Sequence, residues 1–460
     1  MRILFVTASY PPESVGGVEL HVQGLARAMT VAGHECRVFA RTGRPGLPHL
    51  QVMRETVEGI PVTRLANTFE DATSLEAMVR HPGIADAFAA ELARVKPDLV
   101  HIHHLTCLST LIVDRCRAAK VPVVMTLHDF WMGCPRGQRI TAGLDVCPTI
   151  RLTRCLPCLR ELWPHLLGRG GSPDLPADER DARDLALLEG YHSNIRATLA
   201  SLDLLFTPSA FMARLYEDYG VPAGKLAVVE NGLAKAAWSD DAARRAGSPR
   251  SGGPLRIGFI GSVLPSKGVH LLIEAFRRLG DPTGLRLDVW GEVLPFHNDR
   301  TYGERLAALR EGLESVVTLH GRYGNESLPA ILAGMDVLVV PSLWYEAFGL
   351  TIREAHLAGV PVVTANHGAM AEAVQDGRTG LLFQAGDAAS LAAVLRRLAD
   401  DPALRARLAG RPEWVRDERD AAAQLLGLYD QLLPRPAGPA SPGRGPGSVS
   451  GGPDAAGDRA

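Results

Sequence analysis

Residues 341–363 read PSLWYEAFGLTIREAHLAGVPVV. The apolar run from Val337 to Pro341 has the length and composition of a core strand. A loop carrying Glu346 follows it. Gly349 then opens a helix that holds Glu354 and stops at Gly359, and Pro361 to Ala365 resumes a strand. A helix that begins at the carboxyl end of a strand points free N–H groups outward, which makes a ready anion site.

The same alternation extends in both directions. Ile3 to Ala8 reads as a buried strand. Val18, Val22, Leu25, Ala26 and Met29 recur at helical spacing, and Gly33 ends that helix. Cys36 to Ala40, Asp98 to His103, Val121 to Leu127 and Leu204 to Thr207 are further strands. After a stretch almost without large apolar residues, Leu255 to Ile260, Arg286 to Trp290 and Val316 to His320 lead back to the opening segment. Repeated strand–helix–strand units predict an α/β fold of two facing Rossmann-like units, each a doubly wound parallel sheet. The expected boundaries are 1–238 for the first unit, with a Cys-rich insertion at 131–171, and 239–254 for a linker. The second unit is expected over 255–411, a closing helix over 412–433 and a disordered Pro/Gly-rich tail over 434–460. Two such units leave an interdomain cleft lined by the carboxyl ends of strands, where ligands bind.

Composition removes several classes. The 460 residues carry 49 basic against 51 acidic side chains, a net charge of −2. That balance offers no excess for gripping nucleic-acid phosphates. No run reaches the ~18 apolar residues of a membrane helix. The first residues lack a separate basic region and a cleavage site, so they read as a core strand and not a signal peptide, and the seven cysteines read as reduced thiols or metal ligands.

Five constellations carry candidate chemistry. Glu346 and Glu354 beside a helix N-terminus suit hydroxyl recognition, since a carboxylate accepts two hydrogen bonds from a vicinal diol; Glu354 as a mere dipole-stabilising residue is the plain alternative. Lys267 and Gly268 follow the strand that ends at Gly261 and offer a point charge and close backbone approach to a phosphate. Gly16 and Gly17 stand where the first helix begins. His128 stands at a strand end to donate to a sugar hydroxyl, with Asp129 beside it to orient it or to meet an acceptor. Finally, Cys134, Cys147, Cys155 and Cys158 include a CxxC pair, a half-site for structural zinc, and are otherwise plain thiols or a disulfide pair. His101, His103 and His104 are close in sequence, but neighbours i and i+1 on a strand point to opposite faces, so they read as a poor metal cluster. The stretch Leu159 to Leu167 (LRELWPHLL) is apolar enough to join a core or to touch a membrane or lipid acceptor.

Together these residues resemble the retaining glycosyltransferases of family 4, which have the GT-B fold. The resemblance is carried by Ser266 to Gly268, by Glu346 and Glu354 with seven residues between them, and by Ala358 to Val363 and Gly368 to Phe383. Gly16-Gly17, His128-Asp129, Thr207 to Phe211 and Glu230 to Gly232 support it in the first half. It implies nucleotide-sugar transfer to a glycan or lipid-linked acceptor, in cell-surface polysaccharide synthesis, at the cytoplasmic side and its membrane face. In that pattern Lys267, Glu346 and His128 act on the reacting donor. Gly16, Gly17, Ser262, Gly268, Arg322, Phe348, Gly349, Leu350, Thr351 and Glu354 bind it. Ser262 stands where the family often has Arg, and Arg322 is the candidate to compensate. No Asp-x-Asp triplet is present, so no catalytic metal or other cofactor is expected. A nucleotide-sugar epimerase, a phosphorylase and a non-catalytic binding module are the rival readings.

Overall fold

The switch points of two parallel sheets face one cleft. A computed structural model describes residues 1–238, 253–297, 299–408, 410 and 412–433. All of the expected tail, and all but the last two residues of the expected linker, lie outside the described residues. The first sheet comprises β1 (Arg2–Thr7), β2 (Glu35–Thr42), β3 (Val52–Val57), β4 (Ile60–Ala66), β5 (Leu99–Ile102), β6 (Val123–Thr126), β7 (Leu204–Thr207) and β8 (Leu226–Val228). Their order is β3-β4-β2-β1-β5-β6-β7-β8, parallel throughout except for the β3–β4 hairpin. The second sheet comprises β9 (Leu255–Ile260), β10 (Leu285–Trp290), β11 (Val317–Gly321), β12 (Val337–Val340), β13 (Val362–Ala365) and β14 (Gly380–Phe383), all parallel, in the order β11-β10-β9-β12-β13-β14. The expected α/β architecture of two Rossmann-like units is therefore present.

The strand order reverses at β1 in one sheet and at β9 in the other, and a crevice opens where neighbouring connections leave in opposite directions. The Gly16-Gly17 loop follows β1, and the loops bearing His103 and His128 follow β5 and β6. On the other side, Lys267 follows β9 and Glu346 follows β12, its neighbour in the sheet.

The chain crosses between the units near Leu233 and returns at Asp417. The two crossings are bonded together, Leu233 N–H to the Arg416 carbonyl at 3.0 Å and Glu418 N–H to the Leu233 carbonyl at 3.1 Å. Gly232 is flush against Asp417 and Glu418, where a Cβ would collide with backbone. The last helix, Glu418–Tyr429, is capped by the Asp417 carboxylate and lays Ala422, Leu425 and Tyr429 on the core of the first unit, among Val22, Leu25 and Met29. The Tyr429 hydroxyl meets His101 Nδ1 at 2.6 Å in full burial.

Leu159, Leu166 and Leu167 are buried in the first unit's core. Of the two readings of Leu159 to Leu167, the core segment is the one present, with Leu162 and Trp163 partly buried against the same cluster. Among the described residues no helix is long and apolar enough to cross a membrane.

Tyr429→Ala should cost about 3–5 kcal/mol, the range for losing a large buried aromatic. Tyr429→Phe should cost about 1–3 kcal/mol, through the His101 nitrogen left without a partner. Urea denaturation measures both, and equal stability of all three proteins would show that the helix is not docked as described.

Candidate active site

A part-buried ion pair forms the floor of the cleft. Lys267 Nζ donates to Glu346 Oε1 at 2.6 Å. The Ser342 hydroxyl and the Trp344 indole N–H donate to the same oxygen at 2.7 and 2.9 Å. Burial alone would raise the Glu346 carboxyl; the Lys267 charge and these hydrogen bonds prevail and hold it below the usual carboxylate range. Because all three partners converge on Oε1, Oε2 remains for a hydroxyl of a bound molecule. Local geometry depends on Gly268. It lies in the left-handed region at φ +74°, and a Cβ there would overlap the Pro341 carbonyl oxygen at the end of β12. Only glycine lets the Lys267 loop settle this close to the strand that delivers Glu346.

Two helix N-termini meet beside this pair. The helix Leu350–Leu357 starts at Gly349 (φ +73°), and the helix Gly17–Val31 starts at Gly16. Neither has a side-chain cap. The two touch across the cleft: a Cβ on Gly17 would stand 2.6 Å from Leu350 Cδ1. Uncapped first-turn amides and the positive ends of two helix dipoles, with an ammonium on the neighbouring loop, are the kind of donors that receive an anion. Phe348 is buried under the Arg353 guanidinium, which donates to the Phe348 carbonyl at 2.7 Å and so sets the approach to Gly349.

Glu354 lies half-buried one turn into the same helix and has no hydrogen-bond partner among the described residues. Burial pushes its carboxyl up to about 7. Its charge in turn raises the Tyr323 hydroxyl, after burial the second cause, so the two side chains share one environment. Both Glu354 oxygens are therefore open to a hydroxyl, and the residue lies beyond the first turn, which holds no acidic side chain and no side-chain cap. Arg322 is exposed beside Tyr323, on the loop after edge strand β11, with β10 between that strand and β9. Ser262 is exposed at the end of β9. Neither side chain is brought against the Lys267–Glu346 pair by any hydrogen bond or ion pair among the described residues.

The opposite wall is a cluster of imidazoles. His128 Nε2 is 2.9 Å from His103 Nδ1, and the rings stack; His21, on the first turns of the helix Gly17–Val31, packs edge-on against both. The ring nitrogens of His21, His103 and His128 lie within 4.8 Å of one another. Burial first, then the neighbouring imidazoles, hold His103 and His128 well below the ordinary histidine range, and burial takes His21 to about 4. The wall is thus neutral and able to donate or accept. The expectation that Asp129 orients His128 is corrected. Asp129 Oδ2 pairs with His104 Nε2 at 2.9 Å and Oδ1 accepts the Trp131 N–H at 2.9 Å, so the carboxylate shapes its own loop, and His103 orients His128 instead. Both Asp129 oxygens are engaged, which leaves little for an acceptor.

Sequence reasoning missed His21, His103, Ser342 and Trp344 as site residues. Two resemblance motifs prove to join the units. The Ser209 hydroxyl donates to the Ala347 carbonyl at 2.7 Å, and Glu230 stands 3.9 Å from Arg353. Cys134, Cys147, Cys155 and Cys158 lie apart from the cleft floor and are free thiols; burial raises Cys134 and Cys147 and takes Cys155 to about 12.

Comparison with known proteins bears on the family and the fold. Residues 15–235 match the family described as Glycosyltransferase Family 4, and residues 240–411 match Glycosyl transferases group 1. The chain is a GT-B glycosyltransferase of these families. It is 29% identical to glycogen synthase of Mycobacterium tuberculosis over 417 residues, which is 88% of this chain and 87% of the relative. Its fold is similar to sucrose-phosphate synthase from Thermosynechococcus elongatus, with TM-score 0.65 and 22% identity over 94% of this chain and 98% of the other. It is also similar to Anabaena HepE in complex with UDP-glucose, with TM-score 0.63 and 19% identity over 94% and 100%.

For this glycosyltransferase, Gly268→Ala should fold with a lowered melting temperature and lose most turnover, because the Lys267 loop must retreat from Pro341; a variant with wild-type turnover would refute the packing argument. Glu354 sets a pH dependence. If its carboxylate form accepts a diol of the donor, donor KM should rise as pH falls through about 7 and level off above it. Glu354→Gln should raise KM and flatten that profile. A wild-type donor KM that is constant between about pH 6 and 8 would exclude this role.

Proposed function

We propose that this glycosyltransferase moves a glycosyl group from a nucleoside-diphosphate sugar to a hydroxyl of a glycan or lipid-linked acceptor, with retention of configuration and without a catalytic divalent cation. The observation that carries the reading is the placement of Lys267 on Glu346 beside two uncapped helix N-termini in contact at Gly17 and Leu350. When the anomeric C–O bond breaks, its electron pair passes to the β-phosphate oxygen and the sugar becomes oxocarbenium-like. Lys267 and the amides of Leu350 and Thr351 offset that developing charge from fixed positions, the most effective use of charge in a water-poor site. Glu346 Oε2 accepts from a hydroxyl of the transferred sugar, and His128 meets the same sugar from the first unit. Glu354 accepts from the ribose diol. The nucleotide-sugar complex of the Anabaena neighbour supports the donor class, and the glycogen synthase relative supports a glycan product. Retention rests on the family resemblance. A lipid-linked acceptor would place the enzyme at the cytoplasmic membrane face.

The test is turnover of a panel of nucleotide sugars, with anomeric configuration read by NMR and with chelator added. Lys267→Ala should lower turnover by about 10²-fold or more. Glu346→Gln should act mainly on turnover, and both variants should keep donor-induced stabilisation of the fold. Well-folded variants with wild-type kinetics, or activity abolished by chelator alone, would overturn the assignment.

A further inference from the structure

Cys134, Cys147, Cys155 and Cys158 come from three separate pieces of backbone and line one cavity of about 30 Å³. That is room for one ion or one or two waters. Cys134 sits on a turn closed by its N–H to the Phe130 carbonyl at 2.7 Å, and Cys147 follows a turn in which its N–H meets the Arg139 carbonyl at 2.7 Å. Cys155 and Cys158 stand one helical turn apart on the helix Leu152–Leu162, so both face the cavity. We propose that these four thiols hold a structural zinc ion that ties the lobe 131–171 together.

The chemistry of the donor set fits. Four cysteines make a closed tetrahedral site with no open position, the form of structural zinc. Each thiol gives its proton to solvent as its Zn–S bond forms, and no electron changes hands. A zinc tetrathiolate carries excess negative charge, and cations surround this one. Arg136 Nη1 donates to Cys158 Sγ at 3.7 Å, and Arg139 and Arg154 act electrostatically on Cys147. All four cysteines line the cavity, and zinc binding would bring their sulfurs to about 2.3 Å from the metal; the groups with ligand atoms already within 4.8 Å of one another among the described residues are His21, His103 and His128, and His49, Asp71 and His81. The lobe also has a reason to need a staple. Its helix contains Pro157 and buries only Leu156 and Leu159. The metal would fix one wall of the interdomain groove, since Arg136 also stacks on Phe296 of the second unit, 5.7 Å from the ring centroid, beside Pro265 of the Lys267 loop. This inference does not rest on the proposed donor and acceptor chemistry.

The full chain, purified under reducing conditions without chelator, should contain about one zinc per chain by elemental analysis. A thiol-modifying mercurial should release it, and cobalt exchanged into the site should show the charge-transfer bands of a tetrathiolate. The double variant Cys155→Ser, Cys158→Ser should hold no zinc while nucleoside diphosphates still raise its melting temperature. If that variant does not fold, the cobalt spectrum of the wild-type chain decides alone. A wild-type chain that carries no metal and takes up neither zinc nor cobalt, or one with Cys155 and Cys158 joined in a disulfide under these conditions, would overturn the proposal.

Discussion

A carboxylate taken out of water must be compensated, and the compensation of Glu346 organises the cleft. Glu346 is 9% exposed, and its charge survives because Lys267, Ser342 and Trp344 converge on one oxygen. Removing Lys267 would strand the nearly buried Glu346 charge, although the lysine itself is 27% exposed and partly screened by solvent. The pair therefore fixes the loop after β9 against the loop after β12, and Gly268 is the residue that permits the approach. Holding a cation beside the helix that starts at Gly349 places positive charge where a diphosphate would lie before any ligand arrives, so little reorganisation is left for the reaction.

The second unit cannot build this site alone. Its helix Leu350–Leu357 touches Gly17 of the first unit, and the imidazole wall of His21, His103 and His128 belongs entirely to that unit. Registration of the two comes from Ser209 on Ala347, from the paired crossings at Leu233 and Asp417, and from the last helix packed on the first unit. Tyr429 and His101 lock that helix beneath the strand whose continuation carries His103. Packing far from the cleft thus sets the position of the histidine that orients His128.

Much of this was legible in the residues. Apolar runs between helical patterns marked the central strands of both sheets but not the short outer strands β8 and β14, and the glycines at 268 and 349 marked the loops because both stand at positive φ. The β3–β4 hairpin escaped notice although Glu58-Gly59 marks its turn between alternating strands. Side-chain partners were harder. His128 and Asp129 are neighbours in sequence, yet one turns to His103 and the other to His104, a choice made by the strand beside them. His21 joins the wall from a helix that starts in another loop, so no spacing announces it. Ser342 and Trp344 lay inside the stretch that fixed the architecture, but their roles follow only from the loop's curl around Glu346.

The account stands on the diphosphate being received between Lys267 and the first turn of the helix Leu350–Leu357. The most direct measurement is a crystal structure with the nucleoside diphosphate that best raises the melting temperature. The account places a β-phosphate oxygen about 2.7–3.2 Å from Lys267 Nζ and from the Leu350 or Thr351 amide, with the ribose diol on Glu354. A diphosphate bound elsewhere, with Lys267 still closed on Glu346 and the helix N-terminus untouched, would contradict it.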